Sequence, residues 1–161
     1  MTRPRRAKSR FAGIAYVRIG KDGKLQVLRI SYNHRDKIQW KLPGGGVKKK
    51  ETPEQGGTRE GTEETGLHPR KVYYLCKITT PHDSGEGVHI KYFYLAIEDE
   101  CTGILRTKDF WDNGTEIGSF IWTDLEEFLE IVFDTHEAPL LEIWRCRDKI
   151  VQFIKSRAGS S

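Results

Sequence analysis

The chain has little of what would mark a stapled, zinc-bound or membrane-spanning protein. Its 161 residues include only three cysteines, Cys76, Cys101 and Cys146, which are odd in number, far apart and form no C-x-x-C pair. That spacing argues against a disulfide framework and against a thiolate zinc site, so a reducing compartment, the cytosol, is the expected setting. None of the five histidines is paired at H-x-x-x-H spacing. No apolar run comes near the roughly 20 residues needed to cross a bilayer, and no membrane partner is expected. Acidic residues are missing before Asp22. An organellar transit peptide would share that trait, but the apolar stretch 11–17 is short for a secretory signal and runs directly into a predicted strand. There is no internal repeat, no linker and no low-complexity tract beyond an Arg-rich start and a short Ala-Gly-Ser-Ser tail.

What remains is an ordinary soluble profile. Hydrophobic residues make up 37% and charged residues 31%, with 27 basic and 23 acidic side chains and a net charge of +4. The length fits one domain with a real core. We divide the chain into a basic N-terminal arm, 1–10, and a single domain, 11–157. The arm clusters Arg3, Arg5, Arg6, Lys8 and Arg10, which suits contact with nucleic acid or a polyphosphate, or simply a solvated, frayed terminus.

Patterning predicts strands at 11–19 and 24–31, joined by the turn Gly20-Lys21-Asp22-Gly23. A polar loop is expected at 32–37 and a short strand at 38–42, stopped by Pro43 and three glycines. Further strands are predicted at 71–79 and 88–97, separated by a turn-rich stretch, 80–87. Residues 98–113 read largely as loop, 119–123 as a strand and 124–132 as a short helix. Leu140, Leu141, Trp144, Val151 and Ile154 fall near helical spacing, which predicts one amphipathic helix over 138–155. The class is a mixed α/β single domain.

A central helix is predicted over 53–65. Thr52 suits the N-cap, Pro53 the first turn, Gln55 completes a capping box, and Gly66 is a natural stop. Its interior is poor, since Gly56, Gly57 and Gly61 each cost about 1 kcal/mol relative to Ala. On this helix Glu60, Glu63 and Glu64 stand at i, i+3 and i+4, on one face. Glu51 lies just before it. Arg59 neutralises one carboxylate, not the group, and the remaining charge calls for a cation. Hard oxygen ligands select Mg²⁺, or Mn²⁺ as a substitute, over zinc. The preceding Gly44-Gly45-Gly46 loop offers carbonyls to a metal and amides to phosphate.

Five residues separate Gly45 from Glu51 and seven more precede Arg59-Glu60-Gly61-Thr62-Glu63-Glu64-Thr65-Gly66-Leu67. This resembles the Nudix box, G-x5-E-x7-R-E-U-x-E-E-x-G-U with U apolar, at every position but one. The lead-in Trp40-Lys41-Leu42-Pro43-Gly44-Gly45-Gly46-Val47 is similar to the family's approach to that box. Gly61 departs from the pattern where an apolar side chain normally packs the helix onto the sheet. The burial lost there, about 1.5–3 kcal/mol, must be made good by a neighbouring bulky side chain if the helix is to stay aligned.

The resemblance implies an α/β/α sandwich around a mixed β-sheet and Mg²⁺-dependent hydrolysis of a diphosphate bond in a nucleotide-like substrate. Candidate substrates are a nucleoside triphosphate, a dinucleoside polyphosphate, a nucleotide sugar or an RNA 5′ end. Carried over to this chain, Glu60 and Glu64 become the principal metal ligands, with Glu63 and the Gly45 carbonyl, alone or together with that of Gly44, as further ones. Glu63 and Glu64 thereby stand in the catalytic set. Arg59 and Glu51 hold the loop and helix together as an ion pair. Glu116 takes the place of an additional carboxylate outside the box, as ligand or general base, with Glu98, Asp99 and Glu100 as fallbacks. Gly44, Gly46 and Lys48 are the candidate substrate contacts; Lys48, Lys49 and Lys50 either draw in a polyphosphate or keep a loop soluble. Trp40, Tyr92, Phe93, Tyr94, Phe110 and Trp111 supply either a base-stacking platform or core. His34, His82 and His89 lack partner spacing. The competing function is a non-catalytic Nudix module that binds a nucleotide or RNA. Monomer and homodimer both stay open.

Overall fold

The computed structural model describes residues 7–82 and 87–158. Arg3, Arg5 and Arg6 of the basic arm, and residues 83–86 of the turn-rich stretch, lie outside the described residues. Strand β1 (Ala7–Ile19) begins four residues before the predicted start of the domain, because Ala7 to Val17 pair in parallel with β7 (Val88–Ile97). Beyond β7 lies β6 (Tyr73–Pro81), antiparallel to it.

On its other side β1 has two partners. Val17–Ile19 pair with β2 (Leu25–His34), whereas Phe11–Gly13 pair with β4 (Gly44–Gly46), both antiparallel. The sheet therefore forks, with β2 and β4 as separate partners of β1. β3 (Lys37–Lys41) pairs with β2, which continues to β10 (Thr115–Asp124) and then β9 (Phe110–Asp112). A two-stranded ribbon joins β5 (Leu67–Pro69) to β8 (Cys101–Gly103).

Helix α1 (Pro53–Thr65) covers one face of the sheet, over Ala12, Ile14, Tyr16, Leu28 and Tyr94. Three helices cover the other: α2 (Leu125–Ile131), α3 (Glu137–Arg145) and α4 (Arg147–Ala158). They bury Phe128, Leu140, Ile143 and Ile154 against Ala15, Val17, Val27, Phe93 and Leu95. The alternation along β1, even residues to one side and odd to the other, makes both cores from one strand. The result is an α/β/α sandwich around a mixed sheet.

Several expectations are revised. The polar segment 32–37 is a hairpin rather than a loop. Its two turn residues, Arg35 and Asp36, have φ of 52° and 63°, the twist-compatible geometry of a two-residue turn, and its polarity reflects projection into solvent. The triple glycine is a strand. The stretch 98–113 contains β8 and β9, both three residues long and too short to show periodicity. The C-terminal helix is two helices broken at Cys146, where Arg147 Nη1 donates to the Trp144 carbonyl (2.7 Å).

Helix α1 has the predicted bounds. Gln55 N–H donates to Thr52 Oγ1 (3.1 Å), Thr52 N–H donates to Gln55 Oε1 (3.0 Å), and Gly66 closes the helix at φ 84°. Its glycines are explained by close approach. A Cβ on Gly57 would press on Ala12 and Ile14, and one on Gly61 would sit 2.5 Å from the Tyr16 hydroxyl oxygen. Tyr16 is fully buried and donates to the Leu67 carbonyl (3.0 Å) just past the helix. Its phenol fills the volume that an apolar side chain at position 61 would otherwise take.

That exchange is testable by a double-mutant cycle in urea. Gly61→Ala should destabilise the parent by about 1–3 kcal/mol through overpacking, despite alanine's better helix propensity. In a Tyr16→Phe background the clash atom is gone, and the same change should become near neutral. Additive energies would refute the exchange.

Candidate metal and catalytic centre

The centre is built by α1 and the strand that precedes it. Arg59 grips Glu51 with two bonds, Nε to Oε2 (2.8 Å) and Nη2 to Oε1 (2.9 Å), in the fork geometry that suits guanidinium and carboxylate. Its Nη2 also reaches the Gly46 carbonyl (3.0 Å) and its Nη1 the Glu60 carboxylate (2.9 Å). Glu63 lies 3.5 Å from Nη1 and is more exposed than Glu60 or Glu64. The Arg59 bonds, assisted by the Lys48 N–H (2.8 Å), hold Glu51 well below the usual carboxylate range, at about 2. Arg10, on β1, donates to the carbonyls of Lys48 (3.1 Å) and Glu51 (3.4 Å). One residue of the predicted arm is thus a brace for the loop.

Glu64 is different. It is 4% exposed, with Oε1 accepting from Gly44 N–H (2.7 Å) and both oxygens 2.9 Å from the Tyr32 hydroxyl. Burial pushes its carboxyl up to about 8; the Gly44 and Tyr32 bonds oppose this, while the charges of Glu60 and Asp112 add to it. Glu60 lies so close to Gly45 that a Cβ there would collide with its carboxyl group.

The register decides which glycine faces the carboxylates. Val47 N–H donates to Arg10 and Ile14 N–H to Pro43, so the alternation of an antiparallel ladder makes Ala12–Gly45 the bonded pair. The Gly45 carbonyl, a predicted metal ligand, is therefore turned into the ladder. Gly44 and Gly46 point away from β1: Gly44 N–H meets Glu64, its carbonyl faces the Tyr32 hydroxyl (3.5 Å), and the Gly46 carbonyl meets Arg59. Gly44 is the better carbonyl donor to a cation.

The same logic moves the extra carboxylate. Glu116 stands opposite Asn33 and Trp111, whereas its neighbour Ile117 stands opposite Tyr32. Successive residues point to opposite faces, so Glu116 faces away from Glu64. Asp112, paired with Thr115, shares the face of Ile117, and its charge acts on Glu64. Asp112 and Tyr32 were not singled out from sequence, because one sits on a three-residue strand and the other within an apparent polar loop. Glu98, Asp99 and Glu100 lie elsewhere, bonded to Arg18, Arg157 and Tyr73. Lys48 is exposed, and its side chain makes no hydrogen bond or ion pair among the described residues. Of the candidate aromatics, Phe93 and Tyr94 are core and Trp111 is exposed on the Glu116 side.

Among the described residues no three carboxylate, imidazole or thiol groups form a ready metal cage. The donor chemistry nevertheless fits Mg²⁺. The Glu60 charge adds to the burial that keeps a proton on Glu64, Glu64 forms no ion pair among the described residues, and Mg²⁺ needs only one or two carboxylates besides water and phosphate.

A stability consequence follows. In the metal-free protein Glu64 keeps, up to about pH 8, a proton that the unfolded chain has lost; below the ordinary imidazole range this is offset by His136, which burial keeps neutral in the native state. Above that range Glu64 acts alone, and stability should fall as pH rises through about 8. Thermal melts in chelator should show Tm decreasing from about pH 7 to 8.5, with Mg²⁺ restoring it and Glu64→Gln flattening the slope. A pH-independent Tm in the parent would remove the assignment.

The NUDIX domain family model matches residues 9–142. An RNA pyrophosphohydrolase from Hydrogenovibrio crunogenus is 29% identical over 131 residues, covering 81% of this chain and 69% of the relative. One from Zymomonas mobilis is 39% identical over 61 residues, covering 38% of each. Among solved structures, a MutT Nudix hydrolase from Burkholderia pseudomallei superposes with a TM-score of 0.67 at 22% identity, covering 84% of this chain and 97% of that one. No described helix is long and apolar enough to cross a membrane. With the box, the sandwich and the family match in agreement, the chain belongs to the Nudix hydrolase family.

Proposed function

We propose that this chain hydrolyses a phosphoanhydride bond in a nucleoside diphosphate derivative, with Mg²⁺ (or Mn²⁺) as cofactor. The substrate is a nucleoside triphosphate, a dinucleoside polyphosphate, a nucleotide sugar or the 5′ end of an RNA. One observation carries the reading: Glu60, Glu63 and Glu64 share one helix face beside the outward-turned amide and carbonyl of Gly44, at the fork of the sheet. The names of the RNA pyrophosphohydrolase relatives support the reaction class.

Glu60, Glu63, Glu64 and the Gly44 carbonyl would hold the cation, which would supply neutralisation of diphosphate charge and a more acidic bound water. The chain's own groups do the rest. Arg59 fixes Glu60 against the loop and keeps Glu51 ionised. Gly44 N–H and the Tyr32 hydroxyl orient Glu64. Asp112 accepts the proton of the attacking water as the new oxygen–phosphorus bond forms and the anhydride bond breaks toward the leaving phosphate. The Gly46 N–H, turned away from β1, would meet a phosphate oxygen.

The test is phosphate or pyrophosphate release from a nucleotide and 5′-triphosphate RNA panel at about pH 8, with and without Mg²⁺. Release should require the metal and fall about 100-fold or more in Glu64→Gln. Asp112→Asn should lose at least about tenfold, with Glu116→Gln near the parent. No release from any substrate, with nucleotide binding indifferent to Glu64→Gln, would replace the hydrolase by a binding module. A loss confined to Glu116→Gln would return the base to that residue.

A further inference from the structure

Asp112 stands in the least secure place that the sheet offers. Strand β9 is three residues long and lies at the sheet's end, paired with β10. β10 is irregular beside it: its register against β2 shifts between Gly118 and Ile121, and Ser119 has φ of 51°. A short edge strand frays readily, and a reacting group displaced by about 1 Å loses much of its effect. Backbone pairing alone does not hold Asp112 that closely.

The tie comes from the segment between β8 and β9. Helix α1 carries Glu63 and Glu64 in its last turn and no basic residue there, so the negative end of its dipole meets two carboxylates. Arg106 supplies the missing cation from outside the helix. Its Nε (3.1 Å) and Nη2 (2.9 Å) both donate to the Glu63 carbonyl, and its own N–H donates to the Thr65 carbonyl (2.8 Å). One residue thus satisfies two of the four carbonyls that a helix end leaves unpaired. The same guanidinium lies over the Phe110 ring, with Cζ 4.5 Å from the centroid. Phe110 is the first residue of β9 and Asp112 the third, so both stand on one face of that strand. Arg106 therefore contacts both the helix that carries Glu60, Glu63 and Glu64 and the strand that carries Asp112. Asp109 secures β9 on its other side, accepting from Ser119 N–H (3.2 Å) and packed so closely on Gly118 that a Cβ there would collide with it. That contact joins β9 to β10; Arg106 joins it to α1.

We propose that Arg106 is a positioning residue for the hydrolysis: a clip, bonded to the end of α1 and stacked on β9, that sets Asp112 in a fixed place relative to the helix carboxylates. It acts through Asp112 and not on the substrate. This rests on the reading of Asp112 as the base and deepens it. A lysine at this position would keep a charge at the helix end, but neither the paired bonds nor the flat stack.

Amide hydrogen exchange of the metal-free protein reads the clip without chemistry. Arg106→Ala should speed exchange at 110–117 by about tenfold, with β1 and β7 unchanged. Mn²⁺ binding to the same variant should stay within about twofold of the parent, because the ligands on α1 and β4 are untouched. With Mg²⁺, kcat should fall about tenfold while KM stays within about twofold, and Arg106→Lys should recover any lost Tm but not kcat. In an Asp112→Asn background, Arg106→Ala should cost nothing further. Unchanged exchange at 110–117 overturns the clip. So does an equal kcat loss with and without Asp112, or full recovery of kcat by lysine. Faster exchange there, in a protein whose turnover is absent or indifferent to Asp112→Asn, keeps the tie between α1 and β9 and discards the reading of Asp112 instead.

Discussion

The site depends on one guanidinium. Arg59 touches the loop through Glu51 and the Gly46 carbonyl, and touches the helix through Glu60, all within 3.0 Å. A planar fork with five donors serves partners in several directions at once, which an ammonium on a flexible stem does not. Because β4 enters the site only as glycines, no side chain of its own locks it to the helix. The lock is Arg59, backed from the other side by Arg10. Remove this hub and the loop carrying Glu51 loses its tie to α1, while Gly44 keeps its place through the ladder with β1.

Around the hub, the protein tolerates local features that work against stability. Three glycines lower the intrinsic helicity of α1, and a buried carboxyl holds a proton it would lose in water. Both serve approach. The glycines let α1 come down onto Ala12, Ile14 and Tyr16, and that closeness brings Glu64 beneath Gly44 and Tyr32. Capping at Thr52 and Gly66 and burial of the glycine face against the sheet make the helix hold regardless.

Much of this is written in short-range chemistry. The cap at Thr52, the stop at Gly66 and the carboxylate spacing are local signals, so the bounds of α1 and the set Glu51, Arg59, Glu60, Glu63 and Glu64 are readable from the chain. Facing is not. Whether Gly44 or Gly45 turns toward the carboxylates depends on the register of β4 against β1, thirty or so positions away, and Glu116 differs from Asp112 only in which side of a pleat it occupies. The space at Gly61 is likewise filled by a residue, Tyr16, that local pattern marks only as strand core. Arg106 meets the Glu63 carbonyl from 43 positions further along the chain.

That fork rests on β1, and β1 lies beside β7 in parallel from Ala7 to Val17 against Val88 to Ile97. Its central place in the sheet is thus completed only by residues about eighty positions further along. Until the latter are available, β1 can form its hairpin with β2 but has an open edge of Ala12, Ile14 and Val17 waiting for a partner. Closing so large a loop must precede the contacts that reward it, so assembly of the native sheet is a late, non-local event and sets a slow folding rate. During synthesis, α1 emerges before β7 completes the sheet it packs against, and thirteen residues with three glycines do not hold a helix alone.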